Sequence, residues 1–92
     1  MKIDFGKVEV FTGIAKKQCV VENIREQFAD LIYNMGRGVA AHALALKIYN
    51  SDSETEYTPE ECNMIRKYSE MCSPNVIDAI GRLLDDKEGL NN

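Results

Sequence analysis

The sequence predicts a small α+β domain that is mainly helical, with a short N-terminal β-hairpin or meander followed by about four helices. Polarity alternates residue by residue at the start of the chain, and apolar residues recur at helical spacing afterwards. A chain of 92 residues suffices for one hydrophobic core. We therefore expect a single domain over residues 1–86, with a β-hairpin region at 1–22, a helical region at 23–86 and a flexible tail at 87–92.

The strand prediction depends on alternation in the N-terminal segment. Turns at residues 6–7 and 12–13 divide this segment, and residues 14–21 form a third short strand that ends in two valines. The alternating apolar residues are Ile3, Phe5, Val8 and Val10. A sheet of this size needs helices against one of its faces.

The first helix is predicted to begin at Asn23. Asn23 can accept a hydrogen bond from the first turn, and Glu26 follows three residues later, as in a capping box. Gly36 is expected to supply a left-handed position that ends the helix.

The second helix, from Gly38 to about Tyr49, is apolar almost all the way round. Such a helix is typical of a central position, so we expect neighbours on two of its sides, one of them a second copy of the chain. The predicted homo-oligomer interface consists of Val39, His42, Ala43 and Leu46.

Helix starts in the second half of the chain carry strong local signals. Residues 51–57 are polar and acidic without periodicity, and are predicted to be a solvated loop. Thr58 and Pro59, with Glu61, then indicate an N-cap and the first turn of a third helix. Ser73-Pro74 repeats this pattern and begins a fourth helix.

Composition limits the class of partner. The net charge of −4 repels phosphate backbones and anionic lipid, so neither nucleic acid nor a membrane is favoured. Three cysteines without regular spacing indicate free thiols in a reducing compartment. No segment has the length and apolarity of a signal peptide or a membrane span, and we expect an intracellular protein.

Catalytic and metal sites are not favoured by the pattern of residues. His42 is the single histidine, and no serine, cysteine or aspartate lies three or four positions from it to complete a catalytic set. Zinc-binding spacing is absent from the cysteines, and the acidic run from Asp52 to Glu61 lacks the pattern of a calcium loop. A cation-dependent hydrolase would need that acidic run, which is better explained as a solvated loop. We therefore predict a non-enzymatic protein without cofactor or metal.

A small anionic ligand is the alternative to a protein partner. The segment Gly36-Arg37-Gly38 offers backbone N–H groups and a guanidinium near a helix start, which is one way to hold a phosphate. Sequestration of a nucleotide would require basic and aromatic side chains to converge across a subunit interface. The candidate residues are Arg37, Tyr49, Arg66, Lys67 and Tyr68.

Three segments resemble a group of small phage and prophage proteins of unassigned function. The segments are Leu44-Ala45-Leu46-Lys47-Ile48-Tyr49, Tyr57-Thr58-Pro59-Glu60-Glu61 and Ser73-Pro74-Asn75-Val76. They match an "LA-KI" helix, a "T-x-E-E" helix start and an "SP-x-V" helix over about half of the chain. The resemblance implies a phage origin and action in the bacterial cytoplasm, and it implies no catalytic residues.

The expected function is therefore that of a phage-type accessory protein that acts by protein–protein contact. Chaperoning the assembly of a virion protein and inhibiting a host factor are both compatible with the sequence. The alternative is a homo-oligomeric anti-defence protein that sequesters a nucleotide second messenger.

Overall fold

A computed structural model describes residues 1–89, with the side chains of residues 1–85. The architecture is α+β: short strands precede four helices, as the sequence predicts, and one further strand lies between the second and third helices. The elements are β1 (Lys2–Ile3), β2 (Val8–Phe11), β3 (Cys19–Glu22), α1 (Arg25–Met35), α2 (Gly38–Asn50), β4 (Thr55–Glu56), α3 (Pro59–Ser69) and α4 (Pro74–Gly89).

Two antiparallel strand pairs replace the predicted single hairpin or meander. β2 and β3 form a hairpin in which Val8 lies opposite Glu22 and Phe11 opposite Cys19. β1 pairs with β4 instead, so the prediction of an unpaired loop over residues 51–57 is wrong. The two strands are far apart in the sequence, and each is only two residues long. A strand of two residues is too short to show the alternation of polar and apolar residues that predicts a strand. The third strand also begins later than predicted, at Cys19, because residues 12–18 form the loop of the hairpin.

The hydrophobic core lies between the inner face of the strands and the four helices. Three aromatic rings meet at its centre: the Phe5 ring lies 5.3 Å from that of Phe28 and 5.7 Å from that of Tyr57. Tyr57 belongs to the segment predicted as a solvated loop, yet it is buried. Its ring brings β4 and the start of α3 onto the core.

The turn between α1 and α2 is tightly packed at Gly36. A Cβ atom at this position would lie 2.6 Å from the Ile32 carbonyl oxygen and 2.8 Å from the Ala41 Cβ. Gly36 itself has an extended backbone, with φ of −76°, so the predicted left-handed position is wrong for this residue. The positive φ of the turn, +88°, belongs to Gly38. Gly36 is required for close approach rather than for backbone conformation.

α2 buries only one of its faces within the chain. Ala41, Leu44, Ala45 and Ile48 are buried, whereas the opposite side is exposed. The described residues of one chain therefore cover one side of α2. The second neighbour that the sequence predicts would have to be another chain. Its C-terminal end is anchored by Arg25, whose Nη1 donates a 2.7 Å hydrogen bond to the Ser51 carbonyl oxygen.

The start of α3 carries the predicted capping box. The Thr58 hydroxyl accepts a hydrogen bond from the Glu61 N–H at 3.1 Å, and the Glu61 carboxylate accepts one from the Thr58 N–H at 2.8 Å. The same carboxylate accepts a hydrogen bond from Lys47 Nζ of α2 at 2.8 Å. Burial by itself raises the pKa of Glu61, but the hydrogen bonds from Lys47 and Thr58 outweigh it, and the pKa lies below the usual value.

The last helix continues past the predicted end of the domain. α4 runs to Gly89, three residues into the segment 87–92 that the sequence indicates as a tail. Lysine and glutamate are good helix formers, which accounts for the extra length. Residues 90–92 of the predicted tail lie outside the described residues.

Gly36→Ala is expected to lower the free energy of unfolding by about 1–3 kcal/mol, since the added methyl group overlaps backbone and packed atoms. Urea denaturation measures this change. Gly81→Ala is the matched control: a methyl group added there, on α4, would meet no packed neighbour within 4 Å, and alanine in a helix should add about 0.5–1 kcal/mol. Equal effects of the two substitutions would contradict the close packing at Gly36.

Glu61→Gln is expected to reduce stability by about 0.5–1 kcal/mol at pH 7, because it removes the charge that Lys47 contacts. The pKa of Glu61 is lowered by folding, so its charged form contributes above the ordinary glutamate value, and the contribution is lost as pH falls through the lowered pKa. Urea titrations at pH 7 and pH 3 should show the difference from wild type disappearing in acid. Glu60→Gln, an exposed residue in the same turn, controls for the helix dipole.

Candidate functional site

The exposed side of α2, together with Tyr33 of α1, forms an apolar surface, which we call the α1–α2 face. Val39 is 85% exposed and Tyr33 62%, values that are high for large apolar side chains. The rings of Tyr33 and His42 lie 5.8 Å apart and join the two helices across the face. The residues of the α1–α2 face are Tyr33, Val39, His42, Ala43, Leu46 and Tyr49, and none of them is lysine, arginine, aspartate or glutamate.

A shallow groove of about 280 Å³ runs along this face between the helices. Its walls are apolar or aromatic with one exception, the carboxylate of Asp30. The lining residues are Ala29, Asp30, Tyr33, Ala45, Leu46 and Tyr49. Because α1 and α2 are antiparallel, Asp30 lies beside the C-terminal half of α2, near Leu46 and Tyr49, and Arg37 precedes the N-terminal end of α2.

The four predicted interface residues lie together on the α1–α2 face. Val39, His42, Ala43 and Leu46 are all exposed on one side of α2. Helical spacing of apolar residues predicted this shared side correctly, since α2 forms over the expected residues. Their contact with a second chain stays a prediction.

The five predicted ligand-binding residues lie on different parts of the chain. Tyr49 lines the groove between α1 and α2, whereas the Arg66 guanidinium binds the Asp85 carboxylate of α4 at 3.0 Å. Tyr68 is buried, and Lys67 Nζ lies 5.6 Å from the centre of its ring. Arg37 is exposed in the turn before α2. One chain therefore does not gather them around a single ligand.

The turn before α2 is also less open to an anion than the sequence indicated. The Gly36 N–H donates a 2.7 Å hydrogen bond to the Ile32 carbonyl oxygen, so it is already used by α1. Gly36 is packed against Ala41, which closes this side of the turn.

The residues considered for metal binding are similarly dispersed. Cys19 is exposed on β3, whereas Cys62 is buried in α3. The acidic run is divided as well, since Glu61 binds Lys47 and Glu56 contacts the N-terminal amine. In the part of the chain that the structure describes, no group of three or more histidine, cysteine, aspartate or glutamate residues is placed to hold a metal ion.

The loop of the β2–β3 hairpin forms a second surface feature, which the sequence did not indicate. A cleft of about 360 Å³ separates this loop from the start of α4. The Phe11 ring lines it, with Arg82 Cζ 4.2 Å and Lys16 Nζ 6.0 Å from the ring centre. Ile14 at the tip is fully exposed. Asp78 faces the same cleft, and its negative charge opposes an anionic ligand there.

Within residues 1–89, β3 presents a free strand edge. It pairs with β2 on one side, and all four of its residues are exposed. Val20 and Val21 are 45% and 63% exposed. An unpaired edge with apolar side chains is a template for a further strand.

Comparisons with protein-family models, with curated proteins and with solved structures give no match for this chain. Among residues 1–89, none of the helices combines the length and the apolarity needed to cross a membrane. The surfaces of the molecule therefore carry the information on its function.

Thiol reactivity should distinguish the three cysteines. Cys19 is exposed, Cys62 is buried, and burial raises the pKa of the Cys72 thiol. Ellman's reagent is expected to react first with Cys19, and Cys19→Ser should remove the fast phase while Cys62→Ser retains it. Protection of Cys19 in the native protein would show that β3 is covered in solution.

Proposed function

We propose that this protein is a non-enzymatic accessory protein that acts by binding another protein chain through the α1–α2 face. The observation that carries the proposal is the exposure of Val39, Tyr33, Tyr49 and Leu46 side by side on two helices. Monomeric proteins rarely expose contiguous apolar surface of this kind unless another molecule covers it. Aromatic side chains with few neighbouring charges are also typical of the centre of a protein interface.

The core does not need these residues. Ala41, Leu44, Ala45 and Ile48 fill the inner side of α2, and they are buried without help from the outer side. Polar residues on the outer side would leave the fold intact and the surface better solvated. Their apolar character is therefore better explained by binding than by folding.

The resemblance to small phage proteins supports a setting for this activity. It favours a phage-type protein in the bacterial cytoplasm that acts during virion assembly or on a host factor that the phage inhibits. The acidic net charge suits a virion or host protein whose surface is basic.

The nucleotide-sequestering alternative has weaker support. It needs Arg66 and Tyr68 to face a ligand, but Arg66 binds Asp85 and Tyr68 is buried. Tyr49 belongs to the α1–α2 face, so protein binding already explains its exposure. The positions of these residues favour protein binding over nucleotide binding.

A photo-crosslinking amino acid at Val39 tests the proposal in bacterial cells. We expect protein adducts at Val39 and far fewer at Glu60, an exposed position on α3 that serves as the control. Leu46→Glu, added to the chain that carries the crosslinking amino acid at position 39, should reduce the adducts, because it introduces a charge into the α1–α2 face. Equal labelling at Val39 and Glu60, or none at either, would contradict binding through this surface.

A further inference from the structure

We infer that the α1–α2 face binds the same face of a second copy of the chain, with the two copies of α2 antiparallel about a two-fold axis. This inference rests on the proposed function and names the partner of the surface. Two features support it: the order of apolar residues along α2, and the opposite charges of Asp30 and Arg37 on the two sides of the middle of α2.

The apolar residues of α2 are arranged symmetrically about the middle of the face. Val39 lies three residues before His42, and Leu46 lies three residues after Ala43. A two-fold axis between His42 and Ala43 therefore sets Val39 of each copy against Leu46 of the other. The small side chain of Ala43 lets the two helices come close at the axis. A self-complementary patch of this kind is what a two-fold interface requires.

Charge complementarity selects the antiparallel arrangement. Asp30 lines the groove beside Leu46 and Tyr49. At a rise of about 1.5 Å per residue, these two residues lie about 5 and 10 Å along α2 from the two-fold axis. Arg37 lies about 8 Å from the axis on the other side by the same rise. The two-fold rotation brings Arg37 of each copy to the end that carries Asp30 of the other. A parallel arrangement would instead place like charges together.

Both charges are available for this contact. Neither Arg37 nor Asp30 forms an ion pair with another residue in the part of the chain that the structure describes. The two contacts of a symmetric dimer would satisfy both charges in both copies. They lie at the rim of an apolar centre, where charge pairs set the orientation of a complex more than its strength.

The test is a charge exchange, measured by sedimentation equilibrium at low ionic strength, where such contacts are least screened. Arg37→Glu and Asp30→Arg should each raise the dimer Kd at least about tenfold, because each creates two like-charge contacts. The double variant, Arg37→Glu with Asp30→Arg, should restore the Kd to near the wild-type value. Lys7→Glu, an exposed residue between β1 and β2, controls for the change in net charge.

These substitutions are expected to leave the fold intact. Glutamate before α2 interacts favourably with the helix dipole, so Arg37→Glu should stabilise the monomer while it weakens the dimer. Arginine has a higher helix propensity than aspartate, which suits α1 at position 30. Circular dichroism of each variant checks that its helix content is that of the wild type.

The outcomes separate this inference from the proposed function. Rescue of the dimer by the double variant supports the two-fold arrangement. A wild-type dimer that the single variants leave unchanged, or that the double variant fails to restore, overturns this arrangement but not protein binding. A wild-type monomer whose Val39 still crosslinks to another protein overturns the second copy as the partner. A monomer without adducts at Val39 overturns both the inference and the proposed function.

Discussion

Close contact between α1 and α2 at Gly36 determines both the core and the surface of this protein. With no side chain at Gly36, the Ile32 carbonyl and Ala41 approach to distances that leave no space for a methyl group. The two helices therefore lie side by side from their connecting turn. Phe28 and Ile32 of α1 and Leu44 and Ile48 of α2 point into the core from this pair. The opposite sides of both helices are left to form the α1–α2 face.

The small size of the chain gives a physical reason for the apolar outer side of α2. A chain of this length buries only about 60–65% of the surface that it exposes when unfolded, so its stability is marginal. Burial of the α1–α2 face against another chain would add apolar contact that one small core cannot provide. Binding and stability are thereby coupled, because whatever covers Val39 and Leu46 also favours the folded state.

Contacts far apart in the sequence hold the rest of the chain around the helix pair. Lys47 on α2 binds Glu61 at the start of α3, and Arg25 on α1 binds the carbonyl of Ser51 at the end of α2. The pairing of β1 with β4 places Tyr57 against Phe5 in the core. The first two of these contacts fix the C-terminal end of α2. They hold the α1–α2 face in one shape without using any of its residues.

Local signals in the sequence determined where α3 and α4 begin and over which residues α2 forms. Thr58-Pro59 and Ser73-Pro74 predicted the starts of α3 and α4 correctly, because capping depends on neighbouring residues only. Helical spacing likewise placed Val39 and Leu46 on one side of α2. Only the tertiary structure decided which strand pairs with β1 and that Arg66 and Tyr68 are engaged within the chain. Those features depend on contacts between segments that are distant in sequence, and single-sequence periodicity carries no information about which distant segments meet.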